Sequence, residues 1–135
     1  MVRKTWSPHA PRRGNHKVPE SIKVRVQKKA DDLIQAVLKP EHVKQPPKDN
    51  FLNYITDIYS KWYRSRFYFC AIYRCPAPNR ISEFFESRFA RLEYVGNERF
   101  SLAYMRHTGQ WVELFTGLSL DECLESIKNE PHYLP

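Results

Sequence analysis

The sequence predicts a single α+β domain in which two helices cover one curved antiparallel sheet of about five strands, arranged as a meander. Amphipathic helical patterns lie near both ends of the chain, and alternating apolar and polar residues fill the segments between them. Gly96 with Asn97, and Thr108 with Gly109, interrupt the alternation with residues that tolerate the positive φ of hairpin turns. Strands joined so tightly pair antiparallel.

Residues 1–17 are predicted to form a flexible basic arm, and residues 18–135 the folded domain. The arm contains prolines and arginines but no periodic apolar face. Residues 1–29 hold nine Lys and Arg against the single acid Glu20, within a formal net charge of +7 for the chain. This concentration of positive charge predicts attraction to polyanions or to an acidic partner, and a merely solvated tail is the alternative.

The first helix is predicted over residues 19–38, with Pro40 ending it near Leu38. Its apolar stripe has helical spacing, and Lys23, Lys28 and Lys29 lie on its other faces. The last helix is predicted over residues 119–129 from a capping box of Ser119 and Glu122.

Five segments between the helices are candidate strands. Residues 51–63 fit a helix or a strand, and their Ile, Thr, Tyr and Trp content favours a strand from about Asn53. Residues 67–74 are predicted to form an apolar second strand. Residues 81–87 are predicted to be a connection with one helical turn. Three further strands are predicted from Phe89 onward. The predicted core comprises Ile22, Val26, Leu33, Val37, Phe69, Ala71, Leu92, Leu102, Tyr104, Leu114, Leu120, Leu124 and Ile127.

Aromatic and basic residues interleave along residues 61–69, a composition typical of surfaces that hold single-stranded nucleic acid. A non-enzymatic nucleic-acid-binding module is therefore the first functional hypothesis. The same composition also occurs in ordinary sheets, in which aromatic strands with Arg and Lys at their ends cover the core. The candidate binding residues are Arg12, Arg13, Lys23, Lys28, Lys29, Lys61, Arg64 and Arg66.

Two further functions remain open. A protein-interaction or homodimeric module would use the arm or an exposed sheet edge. A ligand binder or small enzyme would use Arg106 and His107 at a hairpin tip, where His107 could act as a base and Arg106 could hold an anion. We assign no catalytic residue, because none of the common catalytic or phosphate-binding motifs occurs.

The three cysteines have no paired spacing that would predict a disulfide framework or a zinc site, so no metal or cofactor is expected. No long apolar segment or secretory signal occurs, and the expected location is cytoplasmic, without a membrane partner.

The order of elements resembles that of small uncharacterised bacterial proteins grouped as families of unknown function. The likeness rests on Ala90 with Arg91, on residues 100–104 and on Gln110 with Trp111, within residues 19–131. Phe100 stands where such proteins often have Trp, and the turn between the strands differs. The resemblance implies a helix–sheet–helix fold and brings no activity or ligand with it.

Overall fold

A computed structural model describes residues 17–48 and 52–135, and within them it confirms the predicted α+β fold. Five antiparallel strands pair in chain order, so the sheet is the expected meander. Arg12 and Arg13 lie outside the described residues, as does nearly all of the arm. The strands are β1 (Tyr54–Tyr63), β2 (Arg66–Arg74), β3 (Phe84–Gly96), β4 (Arg99–Met105) and β5 (Trp111–Leu118).

The N-terminal helix runs further than predicted, because Pro40 does not end it. Helix α1 (Glu20–Leu33) continues through a π-helical turn (Ile34–Leu38) into the short α2 (Lys39–His42). A proline ring collides with the carbonyl four residues earlier, and the wider turn directly before Pro40 accommodates it.

The same π-helical turn changes which side chains reach the core. The buried stripe has a spacing of four throughout and comprises Val18, Ile22, Val26, Ala30, Ile34 and Leu38. Leu33 and Val37, predicted for the core, are only partly buried. A regular α-helix has 3.6 residues per turn, so a constant spacing of four drifts around it, and a wider turn offsets part of that drift.

The predicted strand from about Asn53 is confirmed, since β1 begins at Tyr54 and pairs with β2. Strand β3 begins at Phe84, so the predicted connection over residues 81–87 is wrong for its second half. Phe84 pairs with Arg74, and the Cys75 backbone N–H donates to the Glu83 carbonyl at 2.7 Å, which closes the loop between β2 and β3.

Both predicted hairpin turns are present. Asn97 and Glu98 have φ values of 53° and 57° between β3 and β4, and Gly109 has a φ of 85° between β4 and β5. Paired positive φ values give the turn the twist of the strands that it joins. Both turns therefore occur where the sequence predicted them, although Asn97 and Glu98, rather than Gly96 and Asn97, separate β3 from β4.

The C-terminal helix α3 (Leu120–Asn129) begins with the predicted capping box. The Glu122 backbone N–H donates to Ser119 Oγ at 3.2 Å, and the Ser119 backbone N–H donates to Glu122 Oε1 at 2.8 Å. A 3-10 turn (Pro131–Tyr133) then returns the chain to the core, where Tyr133 is buried.

Leu114 is a wrong core assignment. It is 38% exposed on β5, which pairs only with β4 among the described strands. The register moves from Leu102 opposite Phe115 to Ala103 opposite Glu113, so Leu114 is the extra residue of a β-bulge. Leu124 and Tyr104 are only partly buried, whereas the other predicted core residues of the sheet and of α3 are buried.

No helix of the described residues is long and apolar enough to span a membrane.

Candidate functional site

The two faces of the sheet have different neighbours. On one face, Ser60 Oγ lies 2.8 Å from Gln27 Nε2 and 3.1 Å from Asp31 Oδ1, and Trp62 Nε1 donates to the Lys23 carbonyl at 3.2 Å. All of these partners belong to α1. Because side chains alternate across a strand, the residues between them, such as Lys61, lie on the opposite face.

We term this opposite side the open face, since the helices among the described residues pack on the other side. The residues of the open face that matter here are Tyr59, Lys61, Arg66, Tyr68, Glu86, Arg88, Arg91, Glu93, Trp111 and Glu113. They come from β1, β2, β3 and β5, so the surface exists only in the folded sheet.

A β-bulge in β3 places two arginines on the open face together. Arg88 is opposite Cys70 and Arg91 is opposite Tyr68, while Ala90 pairs with Phe69 and Phe89 is the extra residue. Positions three apart would fall on opposite faces of a regular strand. Because of the extra residue, both arginines lie on the same face of the sheet, and Phe89 and Ala90 are buried in the core.

The two guanidinium groups lie over aromatic rings. The Arg88 Cζ is 4.8 Å from the ring centroid of Tyr68, and the Arg91 Cζ is 4.9 Å from that of Trp111. The two rings are 5.9 Å apart. Tyr68 is only 5% exposed, so the outer surface here is the guanidinium layer rather than the tyrosine ring. Cation–π contacts of this kind attract an arginine to the face of an aromatic ring, and guanidinium groups can also stack on other planar groups.

Carboxylates on the open face partly neutralise these cations. Glu86 is shared, with Oε2 at 3.5 Å from Lys61 Nζ and 3.8 Å from Arg88 Nε. Glu93 Oε1 lies 3.5 Å from Arg66 Nε. One carboxylate cannot neutralise two cations, so positive charge remains along the Lys61 and Arg88 row.

Two polar groups of the open face, on Arg91 and Glu93, are poorly satisfied. Glu93 is 1% exposed, and within the described structure neither its Oε2 nor the Arg91 Nε has a hydrogen-bond partner. Burial, with Arg66 close by, lowers the pKa of Arg91. The charge of Arg91 is therefore poorly solvated, and an anion at the surface would stabilise it.

The structure separates the sequence-predicted binding residues into two groups. Lys61 and Arg66 are on the open face, and Arg64 is in the β1–β2 turn with its Cζ 5.3 Å from the Tyr63 ring. Lys23, Lys28 and Lys29 belong to α1 on the other side of the sheet.

Two of the α1 lysines, Lys28 and Lys29, have local partners. Lys28 Nζ is 3.2 Å from Asp32 Oδ2, and Lys29 Nζ is 2.8 Å from Asp121 Oδ1. The described binding residues that the sequence predicted therefore do not form one continuous surface.

Arg88, Arg91 and Trp111 were not among the binding residues predicted from the sequence. The only sequence signal was the arginine content of β3. Regular alternation along that strand would place Arg88 and Arg91 on opposite faces. Arg106 and His107 are exposed at the β4–β5 turn, at one end of the sheet. Among the described residues no three His, Cys, Asp or Glu side chains are grouped as metal ligands.

The cysteines are free thiols. Burial raises the pKa of Cys70 despite the nearby Lys61 and Arg88, and it raises the pKa of Cys123 to about 12. Neither thiol has the low pKa of a nucleophilic cysteine.

The family model described as Domain of unknown function (DUF3024) matches residues 18–134. The chain belongs to this family. This agrees with the resemblance to families of unknown function, and it assigns no activity. No curated protein and no solved structure is significantly similar to the chain.

Proposed function

We propose that this DUF3024 protein is a non-enzymatic module that binds single-stranded nucleic acid on its open face. The observation that carries the proposal is the arginine–aromatic layer, in which Arg88 and Arg91 lie 4.8 and 4.9 Å from the ring centroids of Tyr68 and Trp111. Unpaired bases stack on aromatic rings and on guanidinium planes, and both are present here on one sheet surface.

The phosphates would be contacted by Lys61, Arg66 and Arg88. These three side chains are 38%, 40% and 45% exposed, so each is accessible while its stem packs on the sheet. Binding would exchange the carboxylates of Glu86 and Glu93 for phosphate oxygens. That exchange limits the gain from each contact, and we expect moderate affinity.

Single strands fit this surface better than duplexes do. The bases of a duplex already stack on one another, so they are not available to the guanidinium planes or to Trp111. The open face also has no protruding helix or ribbon among the described residues that could enter a groove. Arg12 and Arg13 would add salt-sensitive, sequence-independent affinity from the basic arm.

The proposal is tested with the full chain and labelled single-stranded RNA and DNA of about 16 nucleotides, alongside a duplex of equal length. We expect tighter binding to the single strands. The three phosphate contacts of the open face contribute about −2 to the slope of log K against log salt, and the arm arginines make the slope of the full chain steeper. Absence of binding at low salt, or preference for the duplex, would refute the proposal.

The second candidate is self-association or protein binding through β5. Leu114 and Phe115 are 38% and 39% exposed, and among the described strands β5 pairs on one side only. An apolar, unpaired edge is a site for added strands. Light scattering tests it: a dimer that Leu114→Lys converts to a monomer supports this candidate, and a monomer at all concentrations excludes self-association.

A further inference from the structure

A groove at one end of the sheet borders the open face and shares Arg88 with it. It lies where β2 and β3 approach the β4–β5 turn and the C-terminal tail, and its volume is about 550 Å³. This size falls within the range of small-ligand sites. The side chains that decide its chemistry are Tyr73, Phe85, Met105, Arg106, His107 and Leu134.

One wall of the groove is a planar aromatic surface. The rings of Tyr73 and Phe85 stack at 5.1 Å with an interplanar angle of 3°, and Phe85 remains 42% exposed. The stack fixes the orientation of Phe85, so its accessible surface is already positioned for another ring. Met105 and Leu134 add apolar contacts beside it.

The charged side chains that line the groove are arginines. Arg88 and Arg106 lie there beside His107, none of the described lining side chains is acidic, and Pro135, whose α-carboxylate is the one anionic group of the lining, borders the groove as well. The cations of the open face have a carboxylate or a ring close by. Arg106, by contrast, has no ion pair, side-chain hydrogen bond or ring contact within residues 17–48 and 52–135.

The backbone of the β4–β5 turn holds Arg106 in place. Its N–H donates to the Gln110 carbonyl at 2.9 Å, and its carbonyl accepts from the Gly109 N–H at 2.9 Å. The Arg106 side chain therefore extends from a turn whose backbone is fixed by these two hydrogen bonds. An anion bound there would obtain a charge-assisted contact without first displacing a protein carboxylate.

We propose that this groove binds a small planar anion, namely an aromatic ring that carries a carboxylate or a phosphate. The ring stacks on Phe85, and the anionic group contacts Arg106. This site does not depend on nucleic-acid binding by the open face, because its ring wall and its free guanidinium belong to the opposite surface and to the end of the sheet.

The test is a titration of the full chain, followed by backbone amide NMR, with phenyl phosphate and with benzoate. Phenol and inorganic phosphate, used at the same concentrations, each supply only half of the proposed ligand. We expect saturable shifts at Gly109 and Phe85 with one or both anions, and at least about tenfold weaker binding of phenol and phosphate. The tighter of the two anions identifies the anionic group.

Two variants place the ligand. Arg106→Gln and Phe85→Ala should each weaken binding by about tenfold or more. The matched control is Arg64→Gln, the same substitution at the hairpin turn at the other end of the sheet, and it should leave the affinity unchanged. Both arginines are exposed, so these variants should fold.

Three results would overturn the proposal. The first is an absence of saturable shifts with both anions. The second is an affinity that Arg106→Gln leaves unchanged, and the third is a set of shifts confined to the open face. The first two results do not bear on whether the open face binds nucleic acid, so the two proposals can fail independently.

Discussion

The two faces of one sheet have opposite chemistry. The helix-covered face buries rings and aliphatic side chains such as Phe69 and Leu102 against α1 and α3. Some residues of the open face are also buried, but there the side chains beside them are cations. Arg88 covers Tyr68, and Arg66 lies beside Glu93. The difference shows how the same alternating strands can supply stability from one side and a charged surface from the other.

The bulge at Phe89 connects the two faces. It lets β3 deliver consecutive apolar residues, Phe89 and Ala90, to the core while Arg88 and Arg91 both reach the open face. A regular strand would have to place one of these arginines in the core, where an unpaired charge is strongly destabilising. This irregularity is therefore what makes the arginine–aromatic layer possible.

The largest expected difference between the faces is in stability. Phe69→Ala removes a fully buried ring and should cost about 3–5 kcal/mol in the free energy of unfolding. Arg88→Ala on the open face should cost less than about 1 kcal/mol, because its ion pair with Glu86 is exposed. Urea unfolding measures both, and equal costs would mean that the open face is part of the core.

A smaller effect should distinguish the two carboxylates of the open face. Glu93→Gln replaces a buried charge beside Arg66 and Arg91 and should destabilise the protein by about 1–3 kcal/mol. Glu86→Gln is the matched control, and its cost should be below about 0.5 kcal/mol, since its side chain is partly solvated. A neutral Glu93→Gln would show that Glu93 does not stabilise Arg91.

On the helix-covered side, the capping box of α3 should contribute about 1 kcal/mol, which Ser119→Ala removes. Thermal or urea unfolding at neutral pH measures it. Asp121→Asn is a suitable control, because it alters charge in the first turn but leaves the Ser119 and Glu122 hydrogen bonds in place. A cost equal to that of the control would contradict the role of the cap.

The acid dependence of the same cap gives the smallest effect. The hydrogen bond from the Ser119 backbone N–H lowers the pKa of Glu122. A lowered pKa in the folded state contributes stability above the unfolded pKa of about 4.3, and this contribution is lost as pH falls through the folded value. Glu122→Gln should therefore lose less stability than the wild type between pH 5 and the acid range. Parallel profiles would contradict this.

Local signals made much of the fold predictable. Ser119 with Glu122, and Asn97 and Gly109, determine a cap and two turns through their own backbone requirements. The π-helical turn before Pro40 and the bulges at Phe89 and Leu114 were not predictable, because each depends on how neighbouring elements pack. For the site, alternation implied that Lys61 and Ser60 lie on opposite faces, but not which face α1 would cover.

We propose that the open face, and not the overall positive charge of the chain, is the surface that binds nucleic acid. The most direct measurement compares single-stranded RNA binding by Lys61→Gln/Arg88→Gln with binding by Lys23→Gln/Lys28→Gln, which removes the same charge from α1 on the opposite side. We predict that the open-face pair weakens binding by about tenfold or more and makes the salt slope shallower by about 1.4, while the α1 pair has little effect. An equal loss of RNA affinity in both double variants would contradict binding at the open face.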